Sequence, residues 1–220
     1  AGGAALAVDN TFASPLVCRP LEWGADIVIE SVSKSVNGHS DVMLGAVCVP
    51  EANWPELPRV VSTWGLAGGP FDCWLALRGL ATLQLRTDAA CANVQRAAEF
   101  LAVHGRAAQV RYPGLATHPD HALAQRQFGQ AFGAVVTFDV AGGAQNAERF
   151  IAAVADDIPF CPSLGELSTT LSHPASTSHR ALSPEQRQRL GISANTIRLS
   201  VGVESPEHIQ AALERGLSAC

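Results

Sequence analysis

Lys34 follows directly on the apolar run Asp26–Glu30, in the order Glu-Ser-Val-Ser-Lys. A lysine in that place is withdrawn from the solvated faces where lysines usually sit. Desolvation lowers the pKa of an ammonium group and leaves a nucleophilic amine, which is what forming a Schiff base with a carbonyl requires. Ser31 and Ser33 flank it. Their hydroxyls, with backbone N–H groups of the same turn, can bind a phosphate. Asp9 ends a second short apolar run, Leu6–Asp9, and a carboxylate there can hold a protonated ring nitrogen. Each feature alone also has an ordinary reading. Lys34 fits a strand-end turn with its stem along the surface, and Asp9 fits a turn or cap acid.

The elements that must position these residues are written in the surrounding pattern. Leu6–Asp9 reads as a short apolar strand and the β-branched Asp26–Glu30 as a strand of the buried kind, and residues 10–25 between them are long enough for a crossover that sets the two strands parallel. Parallel neighbours bring Asp9 and Lys34 to the same C-terminal edge, where α/β sheets bind ligands. Met43–Val49 predicts a third strand.

From Pro70 the pattern turns helical, with Asp72 as a capping acid and a weak point at Arg78-Gly79 that would break or bend the helix. Cys91, Val94, Ala98 and Leu101 build one apolar stripe of a further helix ending near Gly105. Beyond it, Gln109–Tyr112, Gly133–Val140 and Thr196–Val201 read as strands. Ser183-Pro184 and Ser205-Pro206 each read as a cap followed by proline in the first helical turn, and Gly191 would stop the former helix. No internal repeat stands out.

Composition narrows the function classes. Hydrophobic residues make up 47% and charged ones 16% of 220 residues, which is globular rather than disordered. Lys and Arg number 15 against 20 Asp and Glu, a net charge of −5, with no dense basic run. Neither nucleic acid nor an anionic membrane is an expected partner. The six cysteines at 18, 48, 73, 91, 161 and 220 form no CxxC pair and point to a reducing, cytoplasmic location. No stretch approaches the length of a bilayer span, and the opening AGGAALAVDN lacks the basic start of a signal peptide. Opening on Ala1 a few residues before a strand, the chain reads as truncated.

Three segments together carry a family resemblance: Val8–Pro15 (VDNTFASP), Arg19–Val28 (RPLEWGADIV) and Ser31–Asp41 (SVSKSVNGHSD). Pro70-Phe-Asp72, Leu77–Leu80, Tyr112–Leu115, Ser163-Leu-Gly165, His173–Ser176 and Ile197–Gly202 extend it over nearly the whole length. The chain resembles the Cys/Met-metabolism, or trans-sulfuration, enzymes that use pyridoxal 5'-phosphate. The resemblance implies an α/β fold of the aspartate aminotransferase type (fold type I, PLP-dependent transferase-like). Residues 1–90 would be the C-terminal part of the large cofactor-binding domain and residues 91–220 the small C-terminal α/β domain. It further implies that Lys34 carries the cofactor and shuttles protons, that Asp9 pairs with the pyridine nitrogen, and that Ser31 and Ser33 bind the phosphate. Arg198, with Ser163 assisting, would hold the substrate α-carboxylate. That role suits an arginine inside the apolar strand Thr196–Val201, which needs an anionic partner, whether a structural acid or a substrate.

The implied reaction is γ- or β-elimination or replacement on a sulfur-related amino acid, most like that of a cystathionine γ-synthase. Lyases and homoserine sulfhydrylases of the family are alternatives, as is a non-catalytic fragment. A homo-oligomer, dimer or tetramer, is the expected assembly. Two departures stand out. Ser168 lies where a Glu is common, and the tyrosine that stacks on the cofactor in the family's N-terminal half has no counterpart, Tyr112 being the only tyrosine. Ser33 replaces a frequent Thr and keeps the hydroxyl. Ser-Leu-Gly165 leans toward the γ-type members. His118-Pro-Asp-His121 has a spacing a metal could use but no evident third ligand, so no metal is expected. His39 is read as a structural hydrogen-bonding residue, and the cysteines lack the electropositive setting of reactive thiolates.

Overall fold

The computed structural model describes residues 3–220. Ala1 and Gly2, on which the reading of the chain start turned, lie outside the described residues. The chain divides into two compact units, Ala1–Leu85 and Arg86–Cys220.

In the first unit, β1 (Ala7–Asp9) and β2 (Ile27–Ser31) pair parallel, with Asp9 opposite Ile29. The crossover holds a short helix α1 (Ser14–Val17) and a 3-10 turn, Pro20–Trp23. Gly24 ends that turn at φ +91°, a conformation that glycine reaches without a Cβ clash. β3 (Gly45–Cys48) adds antiparallel to β2, giving the order β1-β2-β3. Val28 and Glu30 of β2 are buried while Ile29 between them is exposed, the alternation of a strand with one covered face. Val17, Ala25, Val28, Val32 and Val42 make the small core. A 3-10 segment, Glu51–Glu56, leads into α2 (Leu57–Trp64), and α3 (Pro70–Leu80) closes the unit.

Two expectations about α3 are corrected. Its N-cap is Gly69, Asp72 makes no capping hydrogen bond, and Pro70 occupies the first turn. The acid still lies where the positive end of the helix dipole favours it. Nor does the helix break at Arg78-Gly79. It runs through a buried Gly79 to Leu80, and the interruption falls at Ala81–Thr82 before α4 (Leu83–Val103).

The second unit has a four-stranded antiparallel sheet, β4 (Ala107–Arg111), β5 (Val135–Val140), β6 (Thr170–Ser172) and β7 (Thr196–Ser200), in the order β4-β5-β7-β6. The three-residue β6 was not legible in advance. Thr-Leu-Ser carries too little alternation to read as a strand. Between the strands lie α5 (His121–Phe128), α6 (Ala144–Val154) and α7 (Pro184–Arg189), and α8 (Pro206–Ser218) follows. The stripe of α4 is buried as its spacing demands, with Val94, Ala98 and Leu101 fully covered. α6 packs against β5 and α8, and Phe138 meets Phe150 edge to face, ring centroids 5.5 Å apart. Ser183 makes a reciprocal capping box with Gln186, and the Ser205 hydroxyl accepts from the His208 N–H. Among the described residues no helix is long and apolar enough to cross a membrane.

Candidate active site

Because β1 and β2 are parallel, their C-terminal ends fall on one edge of the sheet, and Thr11 locks that edge. Its backbone N–H donates to Asp9 Oδ1 at 3.0 Å, its hydroxyl also hydrogen-bonds the Asp9 carboxylate, and the same hydroxyl accepts from the Ser31 N–H at 2.9 Å. One buried side chain thus ties the acid after β1 to the serine that ends β2. The Thr11 hydroxyl, with the backbone N–H second, holds the Asp9 carboxyl below its ordinary range. Asp9 is therefore an exposed, oriented anion.

Lys34 sits in a tight turn, Val32–Val36, with non-helical dihedrals (φ −94°, ψ −138°). It is half-buried, and both sides of its turn are fastened. The Lys34 carbonyl accepts from the Gly38 N–H at 2.7 Å, and Val32 accepts from Asn37 at 3.0 Å. Asn37, almost fully buried, donates its side-chain N–H to Asp41 at 2.6 Å. His39 is exposed and turns Nδ1 to the Asn37 carbonyl at 2.6 Å, a local structural contact. The Gly79 backbone packs so closely on Asn37 that a Cβ there would stand 2.5 Å from the Asn37 carbonyl oxygen.

The two serines beside Lys34 do different things. Ser31 ends β2, its N–H committed to Thr11. Ser33 pins the turn to the residue before β3: its hydroxyl accepts from the Leu44 N–H at 2.9 Å and donates toward the Leu44 carbonyl at 3.3 Å. A hydroxyl has one proton to donate. Any phosphate at Ser33 would compete with that long hydrogen bond.

In the second unit Arg198 lies at the middle of β7, facing Thr137 across β5 and Ser172 across β6. Its Nη2 donates to the Ser163 carbonyl at 3.0 Å, and its Nε is buried without a hydrogen-bond partner. Desolvation pushes the guanidinium down from its ordinary value. Among the described residues no carboxylate pairs with it, so of its two expected partners the structural acid is not found there. An orphaned donor in a half-buried guanidinium is the feature a carboxylate ligand satisfies. Thus the structure brings Asp9, Ser31, Ser33 and Lys34 together in one unit, and Ser163 and Arg198 together in the other.

Sequence reasoning missed Thr11, Asn37 and Asp41 as parts of the arrangement, although all three lie inside the segments quoted above. Their side-chain types signal hydrogen bonding, but only the strand pairing selects the partners. His121 Nδ1 meets the Pro113 carbonyl at 2.7 Å, and His118 Nδ1 accepts from the Asp120 N–H at 3.1 Å. The first ties the start of α5 to the preceding loop, and the second lies within that loop. Burial pushes the Cys91 thiol up to about 11 and raises Cys18 and Cys220, the reverse of what activates a thiolate.

Residues present in the first unit fit pyridoxal phosphate by their chemistry. An ionised, oriented carboxylate suits a protonated ring nitrogen, an amine suits an aldehyde, and a strand-end hydroxyl suits a phosphate oxygen.

Comparison with known proteins agrees. The family model described as "Cys/Met metabolism PLP-dependent enzyme" matches residues 1–218. The chain is 43% identical over 219 residues to an O-succinylhomoserine sulfhydrylase of Pseudomonas aeruginosa, covering 100% of this chain and 54% of that protein. It is 40% identical to an L-methionine gamma-lyase of Porphyromonas gingivalis, over 99% of this chain and 54% of that one. Among solved structures, a cystathionine gamma synthase of Xanthomonas oryzae pv. oryzae superposes with a TM-score of 0.93 at 43% identity, over 99% of this chain and 56% of that chain. The chain spans about half the length of the curated relatives it matches. Its α/β architecture is that of this solved cystathionine gamma synthase. The chain belongs to the Cys/Met metabolism PLP-dependent enzymes.

Proposed function

We propose that the chain takes part in γ- or β-elimination or replacement on a sulfur-related amino acid, most like the reaction of a cystathionine γ-synthase. Methionine or cystathionine lyase and homoserine sulfhydrylase are the alternatives within the family. The observation that carries the reading is the Asp9–Thr11–Ser31 lock at the strand edge that also bears Lys34. Asp9 would hold the ring nitrogen of pyridoxal phosphate protonated, Ser31 and Ser33 would take the phosphate, Ser33 by giving up its long hydrogen bond to the Leu44 carbonyl, and Lys34 would bind the cofactor through Nζ. When bound, the cofactor supplies an electron sink for charge developing at the substrate α-carbon.

The protein's own part is orientation and proton transfer. Lys34 Nζ takes the α proton and delivers it onward, with its turn held in place by Ser33, Asn37 and Asp41. Arg198 grips the substrate α-carboxylate with its planar fork, its guanidinium oriented by Ser163. We assign residues 1–90 to the cofactor-binding domain and 91–220 to the small domain, and the working assembly to a homo-oligomer, dimer or tetramer. The six free cysteines support a reducing, cytoplasmic setting.

The test is to incubate the purified chain with pyridoxal phosphate, reduce with borohydride and map the modified peptide. Lys34 is expected to carry the label and Lys34→Ala to lose it. Equal labelling of Lys34→Ala would remove the assignment. Feeding the same preparation O-succinylhomoserine with cysteine, then methionine, then cystathionine sorts synthase from lyase chemistry. Labelling with no product from any of them is the outcome for a chain that holds cofactor without turning over substrate.

A further inference from the structure

A cleft of about 520 Å³ opens in the second unit between the end of β4 and the segment that follows α7, and its lining includes neither Arg198 nor Ser163. Its charged lining is Arg111, Arg187 and Asp139, two guanidiniums against one carboxylate, on a chain whose net charge is −5.

Among the described residues each guanidinium makes one hydrogen bond and keeps its other donors. Arg111 Nη1 donates to Asp139 Oδ1 at 3.3 Å, and Arg187 Nη1 donates to the Ala175 carbonyl at 3.1 Å. An arginine offers five N–H donors in a planar fork. Asp139 is itself buried and fixed, its Oδ1 also accepting from the Thr196 hydroxyl at 2.7 Å.

Backbone features shape the place. The β4–β5 register slips between Ala108 and Arg111, and within that bulge Gln109 adopts φ +50°. Bulges re-aim the side chains that follow them, and a non-glycine residue at positive φ persists only where the surroundings enforce it. Here the side chain that follows is Arg111. Gly191, at φ +69°, lies beside that guanidinium, where a Cβ would stand in ordinary contact at 3.8 Å.

We propose that this cleft binds a small oxyanion, the carboxylate or phosphate group of a metabolite, gripped between Arg111 and Arg187 with the Gln109 and Gln188 amides at its margin. The inference is independent of the cofactor assignment, whose residues lie in the other unit.

Deuterated, the 23.0 kDa chain is within reach of residue-resolved, relaxation-optimised NMR as a monomer or in the proposed oligomer. Inorganic phosphate and malonate are titrated separately into the ¹⁵N-labelled protein. Saturable shifts are expected at Gln109 and at Gly191, Ile192, Ser193 and Ala194, with a roughly millimolar dissociation constant. Phosphate alone saturating the cleft identifies a phosphate group, malonate alone a carboxylate, and both a general oxyanion site. Shifts at Ser31–Gly38 report the other unit and are scored apart. Arg187→Gln is expected to weaken binding roughly tenfold, as loss of one charge-assisted hydrogen bond does. Because removing Arg111 would strand the buried Asp139, Arg111→Lys is the second variant. It keeps the charge, loses the fork, and is expected to weaken binding with the fold intact. Non-saturating shifts with both anions overturn the proposal. So does affinity that Arg187→Gln and Arg111→Lys both leave unchanged.

Discussion

Glu30 lies on the covered face of β2 with Oε1 accepting from the Asn10 side chain at 2.7 Å and Oε2 buried without a partner. Burial raises its carboxyl above the ordinary value of 4.5. The Asn10 hydrogen bond works against the shift, and the nearby Asp9 charge adds to it. The sign of the pH dependence follows. A group whose folded pKa is raised binds its proton more tightly when folded, so stability falls as pH rises through 4.5 toward the folded value and stays lower above it. Glu30→Gln removes the ionisation while keeping the shape. It is expected to raise the urea midpoint at pH 7, and the gain should vanish as pH drops below 4.5. A midpoint that falls at pH 7, or a gain that persists in acid, would show that the carboxylate is not the source. The neighbouring Asp9 is shifted the opposite way by Thr11, so two acids on adjacent strands are moved in opposite directions, Glu30 upward by burial and Asp9 downward by its hydrogen bonds.

At the scale of elements, α3 shows how a local rule is outweighed. A glycine inside a helix ordinarily costs about 1 kcal/mol relative to alanine, so Gly79→Ala would stabilise a free-standing helix. Here the Cβ would stand 2.5 Å from both the carbonyl and the side-chain oxygen of Asn37, and overpacking against backbone costs about 1–3 kcal/mol. The second effect wins. Gly79→Ala is expected to lower the thermal midpoint and, by displacing the Asn37 end of the Lys34 turn, to reduce the borohydride-fixed label on Lys34. An alanine variant more stable than the parent would mean that α3 does not press on this turn. The N-termini of α7 and α8 follow their local rules without conflict, because Ser183 and Ser205 cap orphan N–H groups within their own first turns.

For the whole molecule, the hydrophobic core is concentrated in the second unit. Phe138, Phe150, Leu101, Ile197, Leu199, Leu213 and Leu217 are buried there in one contiguous cluster. The first unit has smaller buried side chains, mostly valine and alanine. Truncating Phe150, which packs edge to face on Phe138 from α6, is expected to cost about 3–5 kcal/mol, read as a lowered urea midpoint. A loss below about 1 kcal/mol would mean that the cluster refills the cavity.

What the sequence by itself determined is local. Apolar runs ending at Asp9 and Glu30, a crossover of residues 10–25 and serine-proline caps placed the parallel strands, their shared edge and the helix starts. Neighbours a few residues apart settle those features. Tertiary structure alone decided what each polar group touches. The Ser33 hydroxyl is committed to Leu44, Thr11 is shared between Asp9 and Ser31, Gly79 is compressed against Asn37, and Arg111 is turned into a cleft by a bulge. The physical reason is that a hydroxyl or guanidinium accepts any partner of the right chemistry. Which one it meets depends on segments that only chain folding brings alongside.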